Sequence, residues 1–367
     1  QMINFDLVVI GGGISGLFCA LTYRQQNPKA RIAILERGLF SSGASTKNAG
    51  FACFGSLTEL IDDATRMDSD TLLEIVELRV RGLERLRKTL GDSTIDFQQL
   101  GGYELFFEDQ PKALELMDHF NRLLQPIFNQ SVYALNHSKI NAFGFSSKHI
   151  KSLIENPWEG QINTGKMMKA LRSKVDQEGI SFYSHCEVTH FERHTKQYKV
   201  YINSPFQKSG LQTQKLAVCN NSFAGRFFKD FDLQPGRGLV LLTKPIPSLS
   251  IKGSFHYHEG YYYFRNIDNR VLFGGGREQD FLGETTTEFG INPKIKEKLL
   301  NDLNSFILPD GNGSIEMEWS GIMAFGKSKK PIVKKVDTHA AVGVRLGGMG
   351  IAIGSTVGKQ TAELLFD

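Results

Sequence analysis

Residues 6–16 read Asp6-Leu7-Val8-Val9-Ile10-Gly11-Gly12-Gly13-Ile14-Ser15-Gly16. A short apolar run, mostly β-branched, is strand material. It runs straight into three glycines, after which residues 17–24 continue as a helix. A second apolar run, residues 31–35, ends at Glu36-Arg37. The order is strand, glycine turn, helix, strand, acid. Gly11, Gly13 and Gly16 fit G-x-G-x-x-G. The first permits a tight turn, the second lets the backbone approach a pyrophosphate, and the third lets the helix pack closely on the strand. The helix N–H groups and dipole would face the phosphates. Glu36, twenty residues after Gly16, stands where a carboxylate accepts bonds from ribose hydroxyls. A glycine turn alone also occurs in ordinary α/β cores. With strand, helix, second strand and acid all in register, the stretch predicts a dinucleotide-binding fold.

The remaining composition narrows the class. A chain of 367 residues exceeds the usual size of a single core, so two intertwined lobes are expected. It is 41% hydrophobic and 22% charged, a globular balance, with a mild net charge of +4. Only Lys327-Ser328-Lys329-Lys330 and Lys334-Lys335 concentrate basic residues, which reads as a solvated loop rather than a nucleic-acid patch. The four cysteines, Cys19, Cys53, Cys186 and Cys219, have no C-x-x-C spacing and read as buried thiols in a reducing, cytoplasmic compartment. Residues 7–20 lack the basic flank of a signal peptide, and no apolar stretch is long enough to span a membrane.

Along the chain, residues 38–56 form a Gly/Ser/Ala-rich loop too long for a simple connector. Residues 57–90 have helical spacing with a break near Met67-Asp68-Ser69. Residues 95–107 read as paired strands around Gly101-Gly102, and 111–124 as a helix. Residues 164–178 read as a helix with Thr164 as N-cap and Gly179 as its stop. Strands at 180–183, 186–193, 198–203 and 212–219 return to the nucleotide lobe. Residues 237–244, 253–264 and 270–276 read as strands of a second sheet, 294–306 as a helix, and 315–320 and 340–345 as strands. Leu346-Gly347-Gly348-Met349-Gly350 is a glycine turn before a closing helix at 351–365.

The ordered set of these pieces resembles the D-amino-acid-oxidase-like superfamily of flavoproteins, which includes glycine and sarcosine oxidases and amino-acid dehydrogenases. The resemblance runs nearly end to end. It is carried by Gly11–Gly16 with Glu36-Arg37, Ser45-Thr46-Lys47-Asn48-Ala49-Gly50, Gly160-Gln161-Ile162-Asn163-Thr164, Pro235-Gly236-Arg237-Gly238, Tyr261 to Arg265, Gly274-Gly275-Gly276-Arg277-Glu278, Trp319-Ser320-Gly321 and Gly347 to Gly350. It implies an α/β (α+β overall) fold: a Rossmann-like FAD-binding lobe from residues 1–94, 158–232 and 316–367, and an antiparallel-sheet substrate lobe from 95–157 and 233–315. It implies FAD, bound non-covalently, since no cysteine falls just before the Gly347 turn.

The cofactor contacts implied by the resemblance are Gly11, Gly13, Ile14, Ser15, Gly16, Glu36, Arg37, Ser45, Thr46, Asn48, Ala49, Gly50, Val188, Asn220, Gly321, Gly347, Gly348, Met349, Gly350 and Ile351. Ser45 and Thr46 would donate to diphosphate oxygens. Asn48-Ala49-Gly50 would lie beside the isoalloxazine ring. The Gly347 turn would stabilise negative charge on the reduced ring. The bland alternatives are a surface loop, an ordinary helix start and, for Val188 and Asn220, strand core and a simple turn.

For the substrate, Tyr261, Tyr263 and Arg265 share one face of an alternating strand, with Tyr262 and Phe264 opposite. Tyr261 and Tyr263 stand as pocket candidates, against the reading of an aromatic core strand. His256 and His258 line the pocket or serve as structural histidines, and Arg277 either clamps an anion or makes a surface pair. Glycine-oxidase-like members carry an arginine after Trp-x-Gly-x; here Met323 holds that place, and Gly348 falls where a second arginine is expected. Arg345 or Arg277 substitutes, or the substrate lacks an α-carboxylate.

The resemblance implies an FAD-dependent oxidation of a C–N bond in an amine or amino acid, with oxygen or another acceptor taking the electrons. The alternative is a dehydrogenase of a 2-hydroxy acid or other C–O substrate. A flavin hydroxylase, a tRNA-modifying relative and a non-catalytic FAD-binding protein are weaker rivals. No Ser/His/Asp or metal constellation is present in the sequence pattern.

Overall fold

The computed structural model describes residues 3–109, 111–203, 209–311 and 313–366. Ile3–Ile10 lies inside an eight-stranded sheet, paired in parallel with Ile32–Leu35 on one side and Ser209–Val218 on the other. Ser181–Tyr183 and Ala340–Val344 extend this parallel core at its two sides. Leu7, Val8 and Val9 are fully buried, as a parallel strand covered on both faces requires. Glu187–His194 and Gln197–Asn203 add an antiparallel meander, and Ile332–Asp337 an antiparallel edge. The sequence pattern does not mark that edge strand, because Lys334-Lys335 at its centre are exposed and read as loop.

The first helix, Ile14–Gln26, packs on the closing helix, Gly350–Glu363, which packs in turn on Ser69–Leu90. These approaches are backbone to backbone. A Cβ on Gly358 of the closing helix would stand 2.3 Å from the Ser15 carbonyl oxygen, and one on Gly82 would stand 2.0 Å from the Ala352 carbonyl oxygen; Gly16, whose Cβ would stand 1.9 Å from the Gly11 carbonyl oxygen, packs the first helix on its own glycine turn.

The second sheet runs Ile315–Phe325, Gln234–Thr243, Arg270–Gly275, Tyr262–Ile267, Ser254–Tyr257, Gly102–Phe106, Ser152–Asn156, Ala134–Leu135. All its pairs are antiparallel except Ser254–Tyr257 with Gly102–Phe106. Its core is aromatic. Phe255 stacks on Phe264 at 4.7 Å and Tyr257 on Tyr262 at 4.6 Å, each pair directly opposite in the ladder. That register sends Tyr263 and Arg265 to the opposite face.

Several sequence expectations are corrected here. Residues 95–107 are not a hairpin: Asp92–Ile95 is a helical turn, and Gln98 exchanges both backbone hydrogen bonds with Gln161, leaving Gly102–Phe106 as a lone strand. Residues 253–264 are not one strand. His258, Glu259 and Gly260 all take positive φ and turn the chain, so Tyr261 sits in the turn. The helix Thr164–Gln177 is capped by Asn163, whose side chain accepts from the Lys166 N–H. Residues 316–325, grouped on sequence with the nucleotide lobe, hydrogen-bond along Gln234–Thr243 in the second sheet. The break at 67–69 is present, with Asp68 capping Ser69–Leu90.

One segment that reaches the site is held from behind by buried acids. Glu159 accepts from the Phe54 and Gly55 N–H groups at 3.0 and 3.2 Å. Glu104 accepts from the Ser56 hydroxyl, the Thr58 N–H and the Thr58 hydroxyl. Burial pushes both carboxyls up to about 7, against the pull of these donors.

Two outcomes follow from this packing. Gly82→Ala would gain about 1 kcal/mol of helix propensity on an exposed helix. Here the clash with the Ala352 carbonyl reverses the sign, and thermal unfolding should show a net loss of about 1–3 kcal/mol. The second concerns pH. Glu104 and Glu159 titrate near 4.5 when unfolded and near 7 when folded. The folded state therefore holds more protons between those values, so stability falls as pH rises through this window and levels off above it. Urea unfolding should register a loss of up to about 3 kcal/mol per group, and Glu104→Gln with Glu159→Gln should flatten that slope.

Candidate functional site

A cavity opens where the parallel strands end. Ile10 passes into Gly11–Ser15, Leu35 into Glu36-Arg37, Val218 into Cys219-Asn220 and Val344 towards Leu346–Ile351, and these residues form its walls. Ligands in open α/β sheets bind at this carboxyl edge, where strand order reverses. At the first-sheet end the walls are Arg37, Cys186, Val188, Phe223, Arg226 and Phe227. At the far end they come from the second sheet and the loop facing it: Phe51, Cys53, Glu59, Gly238, Val240, His256, Tyr263, Gly321 and Met323.

The nucleotide end is built for an anion and a ribose. Gly11 has φ +111°, and its Cβ would meet the Cys219 carbonyl oxygen at 2.8 Å. Ile14 N–H donates to the Ser45 hydroxyl oxygen at 3.0 Å, which ties the second loop to the opening of the first helix. Glu36 is buried, and its two oxygens accept from the Gly12 N–H at 3.0 Å and the Gly38 N–H at 2.9 Å. Arg37 lies over the Phe223 ring at 3.8 Å, and Arg226 pairs with Glu187.

The 47–50 loop is clamped from the second sheet. Arg265, 3% exposed, donates to the Ala49 carbonyl at 2.5 Å and the Ile162 carbonyl at 3.0 Å. The Trp319 indole donates to the Lys47 carbonyl at 2.9 Å. The Asn48 side chain turns inward, donating to Ala44 and Ser45 carbonyls and accepting from the Gly50 N–H and the Thr164 hydroxyl. Sequence reasoning placed Arg265 on the right strand face but gave it no task, because its partners lie 216 and 103 residues away. Cys53, Glu59 and Phe51 were also missed; nothing local to 51–59 marks them as cavity walls.

The structure brings together Gly11, Gly13, Ile14, Ser15, Glu36, Arg37, Ser45, Asn48, Ala49, Gly50, Val188, Asn220, Gly321, Gly347, Gly348, Met349, Gly350, Ile351 and Tyr263 as cavity walls. Five expected residues stand elsewhere. Gly16 serves helix packing. The Thr46 hydroxyl donates to the Ser41 and Gly43 carbonyls and so shapes its own loop. Tyr261, in the turn, packs its ring on Phe281. Arg277 lies between the Phe281 and Phe325 rings, where burial lowers its pKa. Arg345 is committed to Asp232 and the Lys330 carbonyl, outside the cavity.

At the second-sheet end the chemistry is aromatic and mildly acidic. Phe51 stands 5.0 Å from the His256 ring and 5.5 Å from the Tyr263 ring. Burial pushes the Tyr263 hydroxyl up to about 12, lowers the His256 pKa against the opposing field of Glu59, and raises the Cys53 thiol well above its usual range. His256 is therefore neutral near pH 7.

The walls fit an extended dinucleotide. Cβ positions on Gly347 and Gly348 point into open space, the buried Ser15 hydroxyl and the Asn220 side-chain amide oxygen have no partner among the described residues, and Ser45 retains its own proton to donate.

Comparisons with known proteins agree with this geometry. A search of curated protein sequences finds no match. Solved structures match over nearly the whole chain: glycine oxidase from Geobacillus kaustophilus (TM-score 0.78, 15% identity, covering 99% of this chain and 95% of that one), L-proline dehydrogenase from P. horikoshii (0.77, 18%, 99% and 94%), and L-α-glycerophosphate oxidase from Mycoplasma pneumoniae with FAD bound (0.77, 15%, 100% and 96%). At such identities the likeness is one of fold. No helix among the described residues is long and apolar enough to cross a membrane. A family model described as "DAO: FAD dependent oxidoreductase" matches residues 6–364, and with the dinucleotide cavity at the strand ends this places the chain in the DAO family of FAD-dependent oxidoreductases.

Proposed function

We propose that this FAD-dependent oxidoreductase oxidises a C–N bond of an amine or amino acid. When bound, FAD would supply the hydride acceptor for a carbon bearing an uncharged amine; water would hydrolyse the imine so formed to a carbonyl compound and the released amine, and oxygen or another acceptor would take the two electrons. The protein supplies the rest. In this reading Glu36 accepts from ribose hydroxyls, the open end of Ile14–Gln26 with Ser15 and Ser45 binds the diphosphate, and Arg37 with Phe223 borders the adenine. Ala49, Gly50 and the Gly347–Gly350 turn then border the ring, the turn's N–H groups favouring negative charge on it. The Cys53 thiol, buried and held protonated, is a poor nucleophile, which supports a non-covalent cofactor.

The observation that carries the amine reading is the composition of the second-sheet wall: Phe51, Glu59, His256, Tyr263 and Met323, with no arginine among the described residues. A carboxylate or phosphate, as in a 2-hydroxy acid, a polyol phosphate or an α-amino acid, would bring an anion there with no guanidinium to hold it, so within the C–N class this wall favours an amine. Among the described residues Lys47 is the one lysine lining the cavity; its Cβ rests on Gly321 and its ammonium lies 5.9 Å from the half-exposed Phe289 ring. The glycerophosphate oxidase fold keeps the C–O reading as the rival.

Two measurements check these assignments. Glu36→Ala removes a carboxylate that orders two loops and faces the ribose, and should weaken FAD binding about tenfold or more, read from the fluorescence of released FAD. Under anaerobic conditions, amines or amino acids should bleach the visible flavin band while 2-hydroxy acids and glycerol phosphate leave it intact; the reverse result refutes the C–N reading.

A further inference from the structure

Resting on that reading, we propose that the substrate carries a second, non-reacting cationic group, as in a diamine, and that Glu59 is the residue that selects it.

Glu59 enters the cavity from the first turn of Leu57–Ala64. One carboxylate oxygen accepts from the Ser56 N–H at 3.0 Å. The other stands 2.7 Å from where a Cβ on Gly260 would be, so glycine in that turn is what leaves room for it. Among the described residues no lysine, arginine or histidine lies within ion-pair distance of it. The nearby ionisable groups are Cys53, Glu104, Tyr133, Glu159 and His256, with the Arg79 guanidinium beside them turned to the Phe54 carbonyl. None of the first five supplies a positive charge near pH 7. A carboxylate facing a cavity without a counter-charge is fitted to a cation brought by the ligand.

A second observation points the same way. His256 is 6% exposed, lines the same end, and its ring makes no hydrogen bond among the described residues. It is a buried polar ring left for a ligand to satisfy. Phe51 and Tyr263 complete an aromatic wall around it, and ring faces attract ammonium groups.

The cation bound by Glu59 is not the reacting amine. Hydride loss needs the nitrogen lone pair, and a carboxylate beside that nitrogen would hold it protonated. One amine must therefore be neutral at the flavin while another stays charged at Glu59.

The test uses the FAD-loaded enzyme and three probes of equal chain length: an n-alkylamine, the matching α,ω-diamine and the matching α-amino acid. Anaerobic flavin bleaching gives an apparent Kd and a limiting rate for each. The diamine should bind about tenfold tighter than the monoamine. Glu59→Gln keeps the helix cap, since glutamine serves that position equally, but removes the charge. It should raise the diamine's Kd about tenfold or more and leave the monoamine's within about twofold. Calorimetric titration with tetramethylammonium, a cation that cannot be oxidised here, gives a readout apart from turnover: the wild type should bind it and Glu59→Gln should lose at least tenfold. Equal effects of Glu59→Gln on monoamine and diamine, or no binding of the quaternary cation, overturn the proposal. So does preference for the α-amino acid that Lys47→Met abolishes. Bleaching by monoamines or amino acids without a diamine preference refutes this inference alone; bleaching by hydroxy acids but by no amine refutes the C–N reading beneath it.

Discussion

The buried guanidinium of Arg265 is the constraint on which the site depends. A charge at that depth is tolerated only when its donors are used, since desolvation without partners costs several kcal/mol. Arg265 uses them on the Ala49 and Ile162 carbonyls, both outside its own sheet. The bonds tie the second sheet to the loop that follows Ser45 and to the segment entering Thr164–Gln177. Trp319 adds a third bond, to the Lys47 carbonyl. The cavity therefore spans two sheets whose relative position is fixed by hydrogen bonds to backbone.

The two ends of that cavity differ in polarity for reasons visible in the elements that build them. At the first-sheet end, helix N-terminal amides, Arg37 and Arg226 line the cavity together with Glu36, whose two oxygens accept from backbone N–H groups. At the second-sheet end, aromatic rings and Glu59 replace the cations. Behind Glu59 lie Glu104 and Glu159, holding residues 54–58 by backbone and hydroxyl bonds. Burial raises the Glu104 and Glu159 pKa values, the nearby charge of Glu59 adds to the shift, and a wall of the cavity depends on the protonation of these two carboxyls.

Much of the fold was legible because its signals are local. The strand at 3–10, the glycines and Glu36 are contiguous or nearly so, and each has a backbone consequence that a sequence pattern carries. The break before Ser69 is marked by Asp68, a good N-cap. Errors fell where partners are distant. Gln98 pairs with Gln161, so 95–107 could not be recognised as a non-hairpin from its own residues. The turn at 258–260 places two non-glycine residues at positive φ, which a strand pattern does not reveal.

The nucleotide end can be read along the chain, because the requirements of a pyrophosphate turn are written in closely spaced glycines and one acid at fixed distance. The second-sheet end cannot, because its walls come from segments far apart in the chain. Glu59, His256 and Tyr263 meet in one cavity through pairing of strands far apart in the chain, and Arg277 and Tyr261 are withdrawn from it by the turn at 258–260 and the packing of Phe281 and Phe325. Which side chains face one another across a sheet interface depends on register and burial, and these are set by the whole chain folding at once.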